Sequence, residues 1–182
     1  MEKRRQYDNK IVLSRTEEHE IPKGKLGLVF CKDCSAVYYK KYWHHNLRNH
    51  KNLNENLPVK FSLCAACKMI KDRQFEGEIT IKNIPSGIFG ELEHLITAFS
   101  RRAYERDPMD RLIAVKKNKN EMVITVTENQ LAVKLAKKIK DTFKKVYPVR
   151  NKISNGVEMK ISYSPSPSDV AYVKLEFKSL KV

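Results

Sequence analysis

The chain has 182 residues, 41% of them hydrophobic, enough for one full domain with a buried core plus a small accessory module. With 36 Lys+Arg against 21 Asp+Glu the formal net charge is +15. Self-repulsion on that scale points to a polyanionic partner, nucleic acid first and anionic membrane second, although lysine also serves plain solubility. No run approaches about 18 consecutive apolar residues, and the start Met1-Glu2-Lys3-Arg4-Arg5 lacks the apolar core of a secretory signal, so a cytoplasmic protein with no membrane partner is expected.

Residues 1–28 are polar and charged and are punctuated by Pro22, Gly24 and Gly27. They read as a flexible basic arm whose last few residues form a strand. Residues 1–75 hold 16 basic and 8 acidic side chains, residues 76–150 hold 15 and 10, and residues 151–182 hold 5 and 3. The polyanion contact is therefore expected mainly in the first part.

All four cysteines fall in two pairs, Cys31-x-x-Cys34 and Cys64-x-x-Cys67. In a reducing compartment such pairs mark metal rather than disulfides. Each can offer two thiolates from one tight turn, and two turns complete the tetrahedron that Zn²⁺ favours. The spacing predicts a four-cysteine zinc ribbon over residues 29–75. Four thiolates leave no position for substrate or water, so the site is expected to be structural. The 29 residues between the pairs exceed the usual span of about 15–20, so the intervening segment 44–60 is expected to bulge out as a loop, with room for one short helix. A rival ligand set, Cys31, Cys34, His45 and His50, approximates a two-Cys two-His finger but strands Cys64 and Cys67.

Between the pairs runs Ala36-Val37-Tyr38-Tyr39-Lys40-Lys41-Tyr42-Trp43-His44-His45. Aromatic rings interleaved with cations can stack on bases while the charges meet phosphates. Val37, Tyr39 and Trp43 can equally pack over the metal core, and both hold if alternate residues face opposite ways. Lys40, Lys41, Tyr42, His44, His45 and Arg48 are the expected RNA contacts.

From residue 77 the pattern changes. Glu78-Ile79-Thr80-Ile81-Lys82 alternates as a half-buried strand does. Phe89, Leu92, Leu95, Ile96, Phe99 and Ala103 recur at helical spacing up to Asp107-Pro108. Leu112–Val115 and Met122–Val126 form a hairpin through Asn118-Lys119-Asn120. Thr127 and Gln130 suit a capping box before a helix that buries Leu131, Leu135, Ile139 and Phe143. That helix turns Lys134, Lys137, Lys138, Lys140, Lys144 and Lys145 outward, usually no more than a solvated face; Lys134 and Lys138 are the weaker candidates for RNA contact. Val157–Tyr163 and Val173–Phe177 alternate as two further strands, joined through residues 164–168. The expected fold is α+β, with residues 76–182 a ferredoxin-like βαββαβ domain carrying an extra C-terminal strand.

No glycine-rich phosphate loop, H-E-x-x-H or G-x-S-x-G occurs, so no enzymatic activity is expected. Cys31, Cys34, Ala36, Val37, Tyr38, Lys41, Trp43, Cys64, Cys67, Ile70, Asp72 and Arg73, followed by Gly77-Glu78-Ile79-Thr80, resemble the pattern of a group of short bacterial zinc-ribbon proteins over residues 29–145. That group is distantly similar to the NMD-three family of large-ribosomal-subunit adaptors. The resemblance implies contact with the ribosome or ribosomal RNA. The chain lacks the further cysteine pairs of the large export adaptors, and it has Ser35 where the family has Gly; Ser35 is therefore expected in a left-handed conformation at a cost of about 1 kcal/mol. A zinc protein binding structured RNA of the large subunit is the leading expectation, with a DNA-binding regulator and a protein-interaction adaptor as the alternatives.

Overall fold

The structure is a computed structural model and describes residues 27–50, 57–143, 155–163 and 170–179. Residues 1–26 of the expected arm 1–28, the connector 164–168 and the lysines 144 and 145 lie outside them. The described residues form a mixed α+β molecule of two sheets and three α-helices. No described helix is long and apolar enough to cross a membrane.

The first sheet contains β1 (Leu28–Cys31), β2 (Val37–Tyr39), β3 (Tyr42–His44) and β4 (Val59–Ser62), in the order β3-β2-β1-β4. β1 pairs antiparallel with β2 and parallel with β4. Opposed residues share a face, so the register Phe30↔Val37, Val37↔His44 and Phe30↔Phe61 puts those four on one side. Val29, Tyr38 and Trp43 lie on the other. The first side buries Leu28, Val37 and Tyr39 under Leu47 and Leu57. Strand β4 begins inside the segment 44–60 expected to be a loop. After β4 comes α1 (Ala65–Asp72).

The second sheet is built from β5 (Gly77–Lys82), β6 (Leu112–Asn118), β7 (Glu121–Val126), β8 (Asn155–Tyr163) and β9 (Ala171–Ser179). Helices α2 (Phe89–Arg106) and α3 (Asn129–Phe143) pack against each other, and α3 lies along β5, β7, β8 and β9. The apolar stripes read from the sequence meet here: Ile79, Ile81, Leu92, Ile96, Leu131, Leu135, Ile139, Phe143, Val173 and Leu175 form one buried cluster. At about 25 cal/mol per Å² of apolar area, this is where most of the hydrophobic stabilisation resides. Gly77 marks a close approach of α3 to β5: a Cβ there would lie 2.5 Å from Ala132 Cβ and 2.7 Å from Val126 Cγ2.

The strand order is β6-β7-β5-β9-β8. The βαββ half, β5-α2-β6-β7, has β7 between β5 and β6, as a ferredoxin-like fold requires. The second half departs from that expectation. A ferredoxin-like order needs the strand after α3 beside β5; here β9 takes that place, parallel to β5, and β8 moves to the edge. Alternation shows which face of a strand is buried, and a hairpin shows which strands are neighbours. Neither says which of two similar amphipathic strands sits inside. Thr127 also departs from its expected role. Its hydroxyl donates to the Met109 carbonyl at 2.6 Å and accepts from the Arg111 amide at 2.8 Å. The first bond of α3 runs instead from the Ala132 amide to the Glu128 carbonyl, which makes Glu128 the residue at the cap.

Candidate metal centre

The knuckle between β1 and β2 carries the first cysteine pair. Cys31 ends β1, and the chain reverses through residues 32–36 with the Cys31 amide bonded to the Ala36 carbonyl at 2.7 Å. The turn closes only because Ser35 takes φ 60°, the left-handed conformation expected of it. The second pair is not in a turn between strands, as a ribbon would have it. Cys64 is the N-cap of α1 and Cys67 lies in its first turn, with the Cys67 amide pointing at Cys64 Sγ at 3.4 Å. Cys-x-x-Cys spacing fits either setting. What selects the helix is the run Ala65-Ala66 and Lys68-Met69, all good helix formers. The consequence is electrostatic, because the positive end of the helix dipole faces the sulfurs.

The parallel β1–β4 pairing brings the two pairs together. Cys31 is opposite Ser62, two residues before Cys64, and the Lys32 amide reaches the Ser62 carbonyl at 3.0 Å. Lys71 of α1 bridges to Asp33 of the knuckle at 3.1 Å. All four sulfurs lie within 4.8 Å of one another, and Cys34 and Cys64 Sγ are 3.7 Å apart. A tetrahedron with metal–sulfur bonds of about 2.3 Å has edges of about 3.8 Å. The cluster can therefore hold a metal ion with little rearrangement. It contains no histidine. His45 of the rival set points elsewhere, its Nε2 donating to the Tyr104 carbonyl, and the His50 ring packs edge-on to Tyr39 and His44.

Burial and crowding act on these thiols in opposite directions. Burial pushes Cys31 up, but the amides of Cys34, Cys64 and Asp33 outweigh it and bring the thiol down to about 6. Burial pushes Cys64 strongly up, and the charge of Cys34 adds to that. Cys67 is pushed up to about 11, again chiefly by burial. Sulfurs this close cannot all ionise without a cation between them.

The aromatic strip divides between the two faces of the sheet. Trp43 packs on the cysteine cluster and lies 5.3 Å from Tyr38, ring to ring. Val37 and Tyr39 are buried on the opposite side. Tyr42 is 71% exposed. Lys40 and Lys41 form the two-residue turn between β2 and β3, both at positive φ, 48° and 71°. This is the pattern of a type I′ hairpin, normally given to Asn and Gly.

Of the expected RNA contacts, Lys40, Lys41 and Tyr42 thus share an exposed hairpin tip, and Arg48 is exposed on the following loop. The two histidines are engaged within the molecule. His44 Nε2 donates to the Tyr39 carbonyl at 3.1 Å. His45 sits edge-on to Tyr104, whose other neighbour is the Arg111 guanidinium at 4.5 Å. With Met109 packed on the cysteine cluster, this contact joins the cysteine module to α2 and the loop that follows it. Lys134 and Lys138 are exposed on α3, far along the chain, and Lys134 shares its surroundings with Asp110. The sequence reading missed Phe61, 65% exposed on β4; the alternation Val59-Lys60-Phe61-Ser62 was the signal. The chain has no match among family models, curated proteins or solved structures.

Proposed function

We propose that this protein is a non-enzymatic zinc protein that binds RNA, with ribosomal RNA of the large subunit as its target. Zinc is the ion that a closed, tetrahedral four-thiolate set suits, and its role there is structural. The observation that carries the RNA reading is the hairpin tip. Two lysines occupy backbone positions that cost each of them about 1 kcal/mol, beside an exposed tyrosine. Strain of that kind collects at functional sites. The surroundings agree: between Asp33 and Asp72 the sequence has seven Lys and Arg and one acid, Glu55. Phosphate contacts by such lysines position RNA but read no sequence, so the target's identity rests on the resemblance to ribosomal adaptors.

Sedimentation of cell lysate through a sucrose gradient tests the target. The protein is expected with the large subunit at low and moderate salt, and its absence from ribosomal fractions removes that reading. Affinity for purified RNA should fall steeply with salt as counterions are released. A partner whose affinity barely changes with salt identifies a protein-interaction adaptor instead, and tighter binding to duplex DNA than to RNA at equal salt identifies a DNA-binding regulator.

A further inference from the structure

The large hydrophobic side chains that stay exposed among the described residues are Tyr42, Val59 and Phe61, at 71%, 50% and 65%. All three belong to the same face of the first sheet. Tyr42 is opposite Tyr39, Val59 is opposite Leu28, and Phe61 is opposite Phe30, which places them in the rows that bury Leu28, Val37 and Tyr39. The middle of that face is covered by Leu47 and Leu57, so the exposed rings lie at its two margins, on β3 and β4. Three strand spacings separate those margins, about 14 Å. Phe61 is backed from one side by Phe30, with ring centroids 5.9 Å apart, and its exposure is on the remaining surface.

We propose that Tyr42 and Phe61 are stacking platforms for unpaired bases, so that the RNA recognised by this protein is a single-stranded segment rather than a helix. The inference rests on the RNA reading above and adds to it the class of RNA. The occupant is chosen by charge. Lys40 and Lys41 are exposed next to Tyr42 at the hairpin tip and Arg48 on the loop that follows β3, while Lys60, next to Phe61 in sequence, is exposed on the opposite face of β4. An apolar protein partner would want a continuous surface depleted of charge at its centre. Here two separate rings lie at opposite margins of the sheet, Tyr42 with Lys40 and Lys41 beside it at the hairpin tip, as in proteins whose grooves track a strand while aromatic side chains take successive bases. A duplex presents phosphates to the lysines but hides the faces of its bases, so only unpaired nucleotides use both features.

Fluorescence anisotropy of the full-length, metal-loaded protein separates these possibilities, with labelled oligouridine and oligoadenosine of about 12 nucleotides and an RNA duplex of similar length as probes. The single strands are expected to bind about 10-fold or more tighter than the duplex. Tyr42→Leu and Phe61→Leu should each lower single-strand affinity about 5- to 100-fold while leaving duplex affinity and the salt dependence unchanged. Lys40→Gln with Lys41→Gln should lower affinity for both probes and reduce the salt slope by about 2. The two aromatic variants lie on different strands, and the Trp43 fluorescence of each reports whether its module remains folded. If the leucine variants bind single strands as the parent does while the lysine variant does not, stacking is refuted and the RNA reading survives. If the parent binds neither probe, both fail. If the leucine variants alter self-association but not RNA affinity, the face is a contact between copies of the chain and the proposal is overturned.

Discussion

The two sheets are held by different forces. The second owes its stability to an Ile-, Leu- and Val-rich core under α2 and α3, where Ile79, Leu92, Ile124, Leu135 and Leu175 are fully buried. The cysteine module has two small clusters in place of one core. Cys31, Cys64 and Cys67 are three of the five buried members of the first, and Leu28, Val37 and Tyr39 make up the second. A module of that size is marginal without a further bond. It also carries more backbone strain than the larger unit, with Ser35, Lys40 and Lys41 at positive φ within seven residues against Asn83, a residue type that tolerates that conformation, after β5. The comparison teaches that an ion held by the four cysteines would make this strain tolerable: with the cysteines cross-linked, a turn could be chosen for the charges it displays rather than for its ease of folding.

The comparison breaks most visibly on metal removal. Binding of a structural ion supplies about 10 kcal/mol or more in comparable modules. Chelation, or Cys64→Ser, is expected to unfold residues 29–70 and leave the second sheet intact. Trp43 is the only tryptophan in the chain and packs on the cysteine cluster, so its fluorescence reports the module alone. Slow amide exchange at Ile79, Ile81 and Ile124 should persist after chelation. Loss of that protection together with the Trp43 signal would show one cooperative unit rather than two.

Gly77→Ala is the converse test. Its new Cβ meets Ala132 Cβ and the Glu128 carbonyl, backbone and helix atoms that cannot swing aside. A cost of about 2–3 kcal/mol to the second sheet is expected, seen as a lower denaturant midpoint by far-UV circular dichroism, with the Trp43 transition unmoved.

A third difference is pH. Burial, joined by the charges of Glu76, Asp110 and Asp107, pushes the Glu128 carboxyl from the usual 4.5 to about 7. Between those values the folded chain holds a proton that the unfolded chain has released. This contribution is therefore favourable at acid pH and is lost as pH rises through about 7. Glu128→Gln should raise the stability of the second sheet by about 2 kcal/mol at pH 8 and by little near pH 4.5. An equal effect at both pH values would mean that the carboxyl titrates normally.

The smallest effects concern the strained turns. Lys40→Asn with Lys41→Gly supplies the residues that a type I′ hairpin prefers, and should stabilise the module by about 1–2 kcal/mol while weakening RNA binding. Ser35→Gly should stabilise by about 1 kcal/mol without touching RNA affinity. If the hairpin variant binds RNA as well as the parent, the lysines are there for some other reason.

Much of this was legible in the sequence because the relevant physics is local. The stripe Leu131, Leu135, Ile139, Phe143 and the alternation around Ile79 and Ile124 report burial directly, and the paired cysteine spacing reports a shared site. What was not legible depends on distant partners. The position of β9 inside β8 is decided by competition between two similar strands for the side of β5. The bond from His45 to the Tyr104 carbonyl of α2 joins residues 59 apart in the chain, and Thr127 resembled a cap until the loop at Met109–Arg111 met it. Phe61 was concealed by its setting, since a four-residue strand among Asn and Lys is too short to stand out.

Zinc X-ray absorption on the purified protein bears most directly on the claim that four thiolates enclose one ion. The expected spectrum has four sulfur atoms at about 2.3 Å and no lighter ligand. A shell of nitrogen at about 2.0 Å would give the site to histidine, and a chain that carries no metal and has its cysteines joined as disulfides would contradict the account altogether.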